Sequence, residues 1–215
     1  MSRQQCVKLN NVYSDIIVTN TGAPQGCVLS PLLFTIYTSD CKCTDKDSKL
    51  FKYADDTALV SLCVENDRLY RQEVRNFDIW CKNNFLDLNV SKTKEMVIDF
   101  RVNKPRLPPL YINNEKVVEV DEYKYLGTII DNKLSFCNNV DAIYKKANTR
   151  VYFVRQLCKF KIDQKIINLF YLSIVQSVMC FAITCWFGNC TSQSKNKLTK
   201  IIIQCRKLGV KIQNI

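Results

Sequence analysis

Apolar and polar positions are patterned differently in the front and back of this 215-residue chain. A β-rich run from Val12 to Val18 leads into Gly22-Ala23-Pro24-Gln25-Gly26, whose Gly and Pro stop the strand. Ser30 is the expected N-cap of a following helix with Pro31 at its first position. Leu32, Leu33, Ile36, Tyr37 and Asp40 then follow a helical period, whose apolar face is expected to pack on a sheet. Leu50 to Tyr53 and Thr57 to Cys63 read as two strands around Ala54-Asp55-Asp56, a hairpin with two carboxylates at its tip. From Asn66 to Phe85, Tyr70, Val74, Phe77 and Cys81 recur every three or four residues, with Arg71, Arg75, Asp78 and Lys82 offset from them, which predicts an amphipathic helix covering the same sheet.

Lys94 to Phe100, Lys116 to Val120 and Tyr123 to Ile130 read as strands, and the stretch holding Pro105, Pro108 and Pro109 as a loop. After Asp131 strand signals cease and helices are predicted near 138–159, 163–186 and 194–209. The boundary falls near residue 135, giving an α+β part at 1–135 and an all-α part at 136–215. Ile166 to Gly188 has no charged residue and is long enough to span a bilayer. Asn168, Ser173, Gln176, Ser177 and Thr184 would all enter hydrocarbon, so a buried core helix is preferred and no membrane is expected.

Charge sharpens this division. The net charge is +11, yet residues 144–215 hold 13 Lys/Arg against Asp163 alone, a surplus suited to a polyanion such as nucleic acid. Twelve cysteines in a chain of this length without a leader pattern read as free thiols of an intracellular protein, cytoplasmic or nuclear. Histidine is absent, which removes Ser-His-Asp and Cys-His catalysis, histidine zinc sites and the two-His iron centre of oxygenases. Chemistry must rest on carboxylates, Lys, Cys or Tyr.

The sharpest such feature is Tyr53-Ala54-Asp55-Asp56. Adjacent carboxylates at a hairpin tip repel each other unless a divalent cation or basic group neutralises them, and Mg²⁺ is the natural partner. A solvated Asp pair in a turn needs no metal, so the dipeptide alone leaves both readings open.

The order of motifs resembles the palm of reverse transcriptases. Thr21-Gly22-Ala23-Pro24-Gln25-Gly26-Cys27-Val28-Leu29-Ser30-Pro31-Leu32-Leu33-Phe34 is similar to the template- and nucleotide-positioning motif, and Phe51-Lys52-Tyr53-Ala54-Asp55-Asp56 to the catalytic hairpin. Leu88-Asn89-Val90-Ser91-Lys92-Thr93-Lys94 resembles the motif that follows, and Tyr123-Lys124-Tyr125-Leu126-Gly127 the primer grip. The wording is most similar to non-long-terminal-repeat, LINE-type retrotransposons.

The resemblance implies a partial polymerase palm, an antiparallel sheet with covering helices, followed by a basic all-α thumb-like region. It implies two-metal nucleotidyl transfer with Asp55 and Asp56 as Mg²⁺ ligands and Lys92 as a proton donor to the leaving pyrophosphate. Gly22, Pro24, Gln25 and Gly26 would then meet nucleotide and template, the glycines by allowing close backbone approach. Tyr125, Leu126 and Gly127 would hold the primer end. The implied partners are an RNA template, a DNA primer and, in the intact enzyme, deoxynucleotides.

One departure is expected to matter. The family's other metal-binding Asp lies on a strand well upstream of the Pro-Gln-Gly motif, whereas 21 residues precede Gly22 and Asp15 is too close to serve. The chain therefore reads as a truncated element, inactive alone, with palm surface left uncovered. The alternative is a non-catalytic nucleic-acid-binding module using the basic C-terminal helices, in which Tyr144, Tyr152, Phe153 and Phe160 lie among Lys145, Lys146, Arg150, Arg155 and Lys159.

Overall fold

The computed structural model describes residues 3–19, 22, 26–63, 67–104 and 107–211. It divides into two compact units, 1–88 and 89–215. Strands and helices are mixed, as in an α+β protein.

In the first unit, β1 (Arg3–Gln5) pairs antiparallel with β4 (Ile17–Thr19), and β2 (Lys8–Leu9) with β3 (Val12–Tyr13). Helix α1 (Ser30–Tyr37) follows, then the hairpin of β5 (Ser48–Tyr53) and β6 (Asp56–Ser61), then helix α2 (Arg68–Asn83). Two expectations change for α1. Ser30 lies inside the helix rather than at its cap, because Leu29 takes the cap position and offers no side-chain acceptor. The helix also buries none of its residues; Leu32, Leu33 and Ile36 remain exposed. Periodicity showed an apolar side, but nothing among the described residues covers it. On α2, Val74 and Cys81 are buried and Tyr70 and Phe77 half-buried, as the spacing requires.

In the second unit, β7 (Lys94–Glu95) is much shorter than the run 94–100 and pairs parallel with β10 (Val118–Glu119). Strands β8 (Tyr111–Ile112) and β9 (Glu115–Lys116) form a small hairpin. The stretch read as one strand at 123–130 is instead a hairpin of β11 (Glu122–Tyr125) and β12 (Thr128–Asp131). Across the described residues the strands form six two-stranded ladders and do not join into one sheet.

Helices alone follow Asp131. They are α3 (Cys137–Lys159), α4 (Gln164–Phe170), a π-helical turn at Tyr171–Gln176, α5 (Ser177–Cys180), α6 (Ile183–Trp186) and α7 (Ser192–Lys207). Asp163 caps α4 by accepting the Lys165 N–H at 2.8 Å, and Thr191 caps α7 by accepting that of Ser194 at 3.2 Å. The core sits between these helices. Val140, Ile143, Ala147, Val151 and Val154 from α3 meet Leu198, Ile201 and Cys205 from α7, with Ile167, Tyr171, Val175, Met179 and Trp186 from the intervening segment. Burial pushes the Tyr171 hydroxyl up to about 12 and the Cys205 thiol up to about 11. All twelve cysteines are free.

Gln164–Trp186 is long and apolar enough to cross a membrane by length and composition. It is not the continuous buried helix expected. One side faces the core, while Ile166, Leu169, Leu172 and Phe181 are exposed, and the helix breaks at Phe181, where Ala182 turns left-handed at φ 49°.

Candidate active site

The β5–β6 hairpin pairs Ser48 with Ser61 at its base and Tyr53 with Asp56 at its end, leaving Ala54 and Asp55 as the two turn residues. Asp56 is thus the first residue of β6 rather than part of the loop. Ala54 is left-handed at φ 51°, a conformation that costs a non-glycine residue about 1–2 kcal/mol. Both carboxylates are exposed, and neither enters an ion pair or a hydrogen bond among the described residues.

Three contacts hold this hairpin and the segment leading into it. The Ser48 and Ser61 hydroxyls are 2.7 Å apart. The Lys52 ammonium donates to the carbonyls of Thr38 and, at 3.1 Å, Cys41, just beyond the last turn of α1, where the negative helix end attracts a cation. The third contact is the buried carboxylate of Glu73, which receives the N–H groups of Thr44 and Asp45 together with the Thr44 hydroxyl, and so holds the segment entering β5. Sequence reading missed Lys52 and Glu73. The available signals were a charge interrupting an apolar strand and a carboxylate beside Val74 on the buried side of a helix.

Two adjacent, uncompensated carboxylates are the kind of oxygen donors a hard divalent cation takes. No group of three or more Asp, Glu or Cys side chains converges among the described residues.

Gly22 and Gly26 have φ of +76° and +81°, angles that glycine takes without strain and a side chain would not. A β-carbon at either would meet nothing within 4 Å in this chain. Pro24 and Gln25 lie outside the described residues. In the second unit, Asn89 organises the turn holding Lys92, its Oδ1 accepting the Lys92 N–H at 3.1 Å and the Ser91 hydroxyl at 2.7 Å. Lys92 itself is exposed. Tyr125 pairs with Thr128, and Leu126 and Gly127 between them are both left-handed, at φ 45° and 93°, as a two-residue hairpin turn of the I′ kind needs.

Three of the four aromatics read from the basic region are exposed on α3 or at its C-terminal cap, as are others elsewhere in the chain. Tyr152, Phe153 and Phe160 are 53%, 50% and 71% exposed, whereas Tyr144 packs against the core. Seven-residue spacing puts Tyr152 on the same side of α3 as Lys145 and Lys159, and Phe153 with Lys146 and Phe160.

The family model for "Reverse transcriptase (RNA-dependent DNA polymerase)" matches residues 2–130, and the chain belongs to that family. Its relatives are RNA-directed DNA polymerases of non-long-terminal-repeat retrotransposons. It is 27% identical, over 86% of its length, to the "Probable RNA-directed DNA polymerase from transposon BS" of Drosophila melanogaster, of which it spans 22%. The corresponding protein from transposon X-element of the same organism is 26% identical over 94% of this chain and 24% of the relative. The "RNA-directed DNA polymerase from mobile element jockey" of Drosophila funebris is 26% identical over 84% of this chain and 21% of the relative. The chain therefore spans about a fifth to a quarter of these curated relatives. A second family model, "Alkylated DNA repair protein alkB homolog 8, N-terminal", matches residues 138–177, a stretch too short to show membership. No solved structure matches the chain.

Proposed function

We propose that this chain supplies the catalytic hairpin and primer-holding turn of an RNA-directed DNA polymerase, with 1–135 as part of a palm and 136–215 as a thumb-like region. The observation that carries this reading is the exposed, uncompensated Asp55–Asp56 pair on a strained two-residue turn, within the segment that matches the family. Asp55 and Asp56 would hold Mg²⁺, which would supply positive charge for activating the primer 3′-hydroxyl and for the leaving pyrophosphate. Lys92 donates a proton to that pyrophosphate. Gly22, Pro24, Gln25 and Gly26 meet template and nucleotide, and Tyr125, Leu126 and Gly127 hold the primer terminus. RNA template, DNA primer and deoxynucleotides are the partners, inside the cell and away from membranes.

Two carboxylates are too few donors to fix two ions, so the chain alone is expected to be inactive in Mg²⁺-dependent primer extension on an RNA template. Extension abolished by Asp55→Ala would show the donor set to be sufficient. Paramagnetic Mn²⁺ tests the site directly. It should broaden the backbone resonances of residues 53–57, and Asp55→Asn with Asp56→Asn should remove that broadening. Broadening unchanged in the double variant would make the pair ordinary turn residues.

A second reading, nucleic-acid binding without catalysis, is favoured by a different observation: Tyr152, Phe153 and Phe160 are exposed beside Lys145, Lys146 and Lys159 instead of filling the core.

A further inference from the structure

The tip of the β11–β12 hairpin rests on a ring from the helical part of the same unit. Gly127 has φ +93°, and a β-carbon built there would lie 3.2 Å from Cε1 and 3.5 Å from Cζ of Phe181. Glycine is thus required twice, once by the backbone angle and once by the ring. Phe181 occupies an unusual place. It follows α5 with extended backbone, φ −60° and ψ 122°, and the next residue, Ala182, is left-handed.

This break in the helix is held from the core. Trp186 is fully buried, and its indole N–H donates to the Phe181 carbonyl at 2.9 Å. Without the break, residue 181 would continue α5 and its ring would point along a helical face. With it, the ring is carried out to the hairpin tip while its carbonyl stays tied to the core. Phe181 is 54% exposed, so burial alone does not explain an aromatic residue here.

We infer that Phe181 is a positioning residue that sets the height and angle of the Tyr125-Leu126-Gly127 turn, and through it the place where a primer 3′ end is held. This rests on reading that turn as the primer grip. A two-stranded hairpin is marginally stable by itself, so its tip needs an external rest if it is to hold a ligand in one position. The Trp186 tie supplies a rigid origin for that rest.

The test uses the whole chain and two readouts. Hydrogen exchange of the amides at 124–128 reports whether Phe181 holds the turn. Affinity for an RNA–DNA primer-template with a recessed 3′ end, relative to a blunt duplex of equal length, reports whether the turn meets a primer terminus. Phe181→Ala should speed exchange at the tip and lower the preference for the recessed end, each by roughly tenfold, with blunt-duplex binding unchanged. Phe181→Tyr should keep both properties. Gly127→Ala, which forces a β-carbon against the ring, reaches the same contact from the other side and should displace the tip even if Phe181→Ala folds poorly.

Unchanged exchange in both Phe181→Ala and Gly127→Ala would overturn the inference. Faster exchange with the recessed-end preference intact would overturn it while leaving the primer-grip reading standing. Faster exchange in a chain whose unmutated form binds both duplexes alike would instead remove the primer-grip reading, and the positioning role with it.

Discussion

The carboxylate of Glu73 accepts the backbone N–H of Thr44 at 3.2 and 3.1 Å through its two oxygens, and the Thr44 hydroxyl as well, while only 4% of Glu73 is exposed. A buried charge is tolerable only when donors surround it, and Asp45 adds a third group, its N–H at 3.0 Å. Helix α2 is thereby tied to the segment that enters the hairpin of Asp55 and Asp56. Glu73→Ala leaves two N–H groups without their acceptor and is expected to destabilise the chain by about 2–3 kcal/mol in urea denaturation. Glu73→Gln keeps one acceptor and should lose less. Equal stability of all three proteins would show that water replaces the carboxylate at no cost.

The strained alanine at the hairpin tip makes a prediction of opposite sign. Ala54 has φ 51°, where its β-carbon crowds the backbone. Ala54→Gly removes that crowding but adds freedom to the unfolded chain, so the net gain is expected to be smaller, about 0.5–1 kcal/mol, in thermal or urea unfolding. A destabilised Ala54→Gly would mean that the tip is not left-handed in solution.

Local pattern made these elements legible and also set the limit of legibility. The 53–56 turn, the period of α2 and the starts of α4 and α7 were readable because each is written in neighbouring residues. The pattern predicts helices near 163 and 194, whereas the caps Asp163 and Thr191 were not read from the sequence. The apolar side of α1 was readable but its exposure was not, since period says which side is apolar and nothing about what lies against it. The break at Phe181 had no Gly or Pro to mark it. The Phe181 carbonyl is held by the indole of Trp186, five residues on and buried in the core, and nothing in the residues around it announces that bond. Lys52 and Glu73 were missed for the same reason: their partners, Thr38, Cys41, Thr44 and Asp45, are fixed by the fold.

Asp131 links strand to helix and makes that junction sensitive to acid. It ends β12, and its carboxylate accepts the N–H groups of Lys133, Ser135 and Phe136 at 3.0, 3.1 and 2.7 Å. These bonds hold a turn in which Leu134 and Phe136 are both left-handed, immediately before α3. Burial alone would raise this carboxyl, but the backbone N–H bonds together outweigh it and hold it below the usual carboxylate range. A depressed folded value means stability that is present above the unfolded value, about 3.9, and lost as the pH falls through the folded one. Unfolding free energy should therefore fall on acidification below about pH 4, and Asp131→Asn should be less stable at neutral pH with a shallower acid dependence. Identical slopes for the two proteins would remove Asp131 from the acid response.

Nucleic-acid binding by the basic helices separates into a charged part and a stacking part, and the two respond differently to salt. Each phosphate neutralised releases counterions, so log affinity should fall linearly with log salt, with little preference for sequence. Replacing Lys145, Lys146 and Lys159 with Gln should flatten that slope, by about 0.7 for each lost phosphate contact on a single strand. Tyr152 and Phe153 are exposed on the same helix, with their rings 5.5 Å apart edge to face, and their contribution would be stacking on bases. Stacking releases no counterions. Tyr152→Ala with Phe153→Ala should accordingly weaken single-strand binding by about 1–3 kcal/mol per stacked base while leaving the salt slope unchanged, and should affect duplex binding far less. Fluorescence anisotropy at several salt concentrations measures both quantities. A slope that changes with the aromatic pair, or an affinity indifferent to it, would show that these rings do not face nucleic acid.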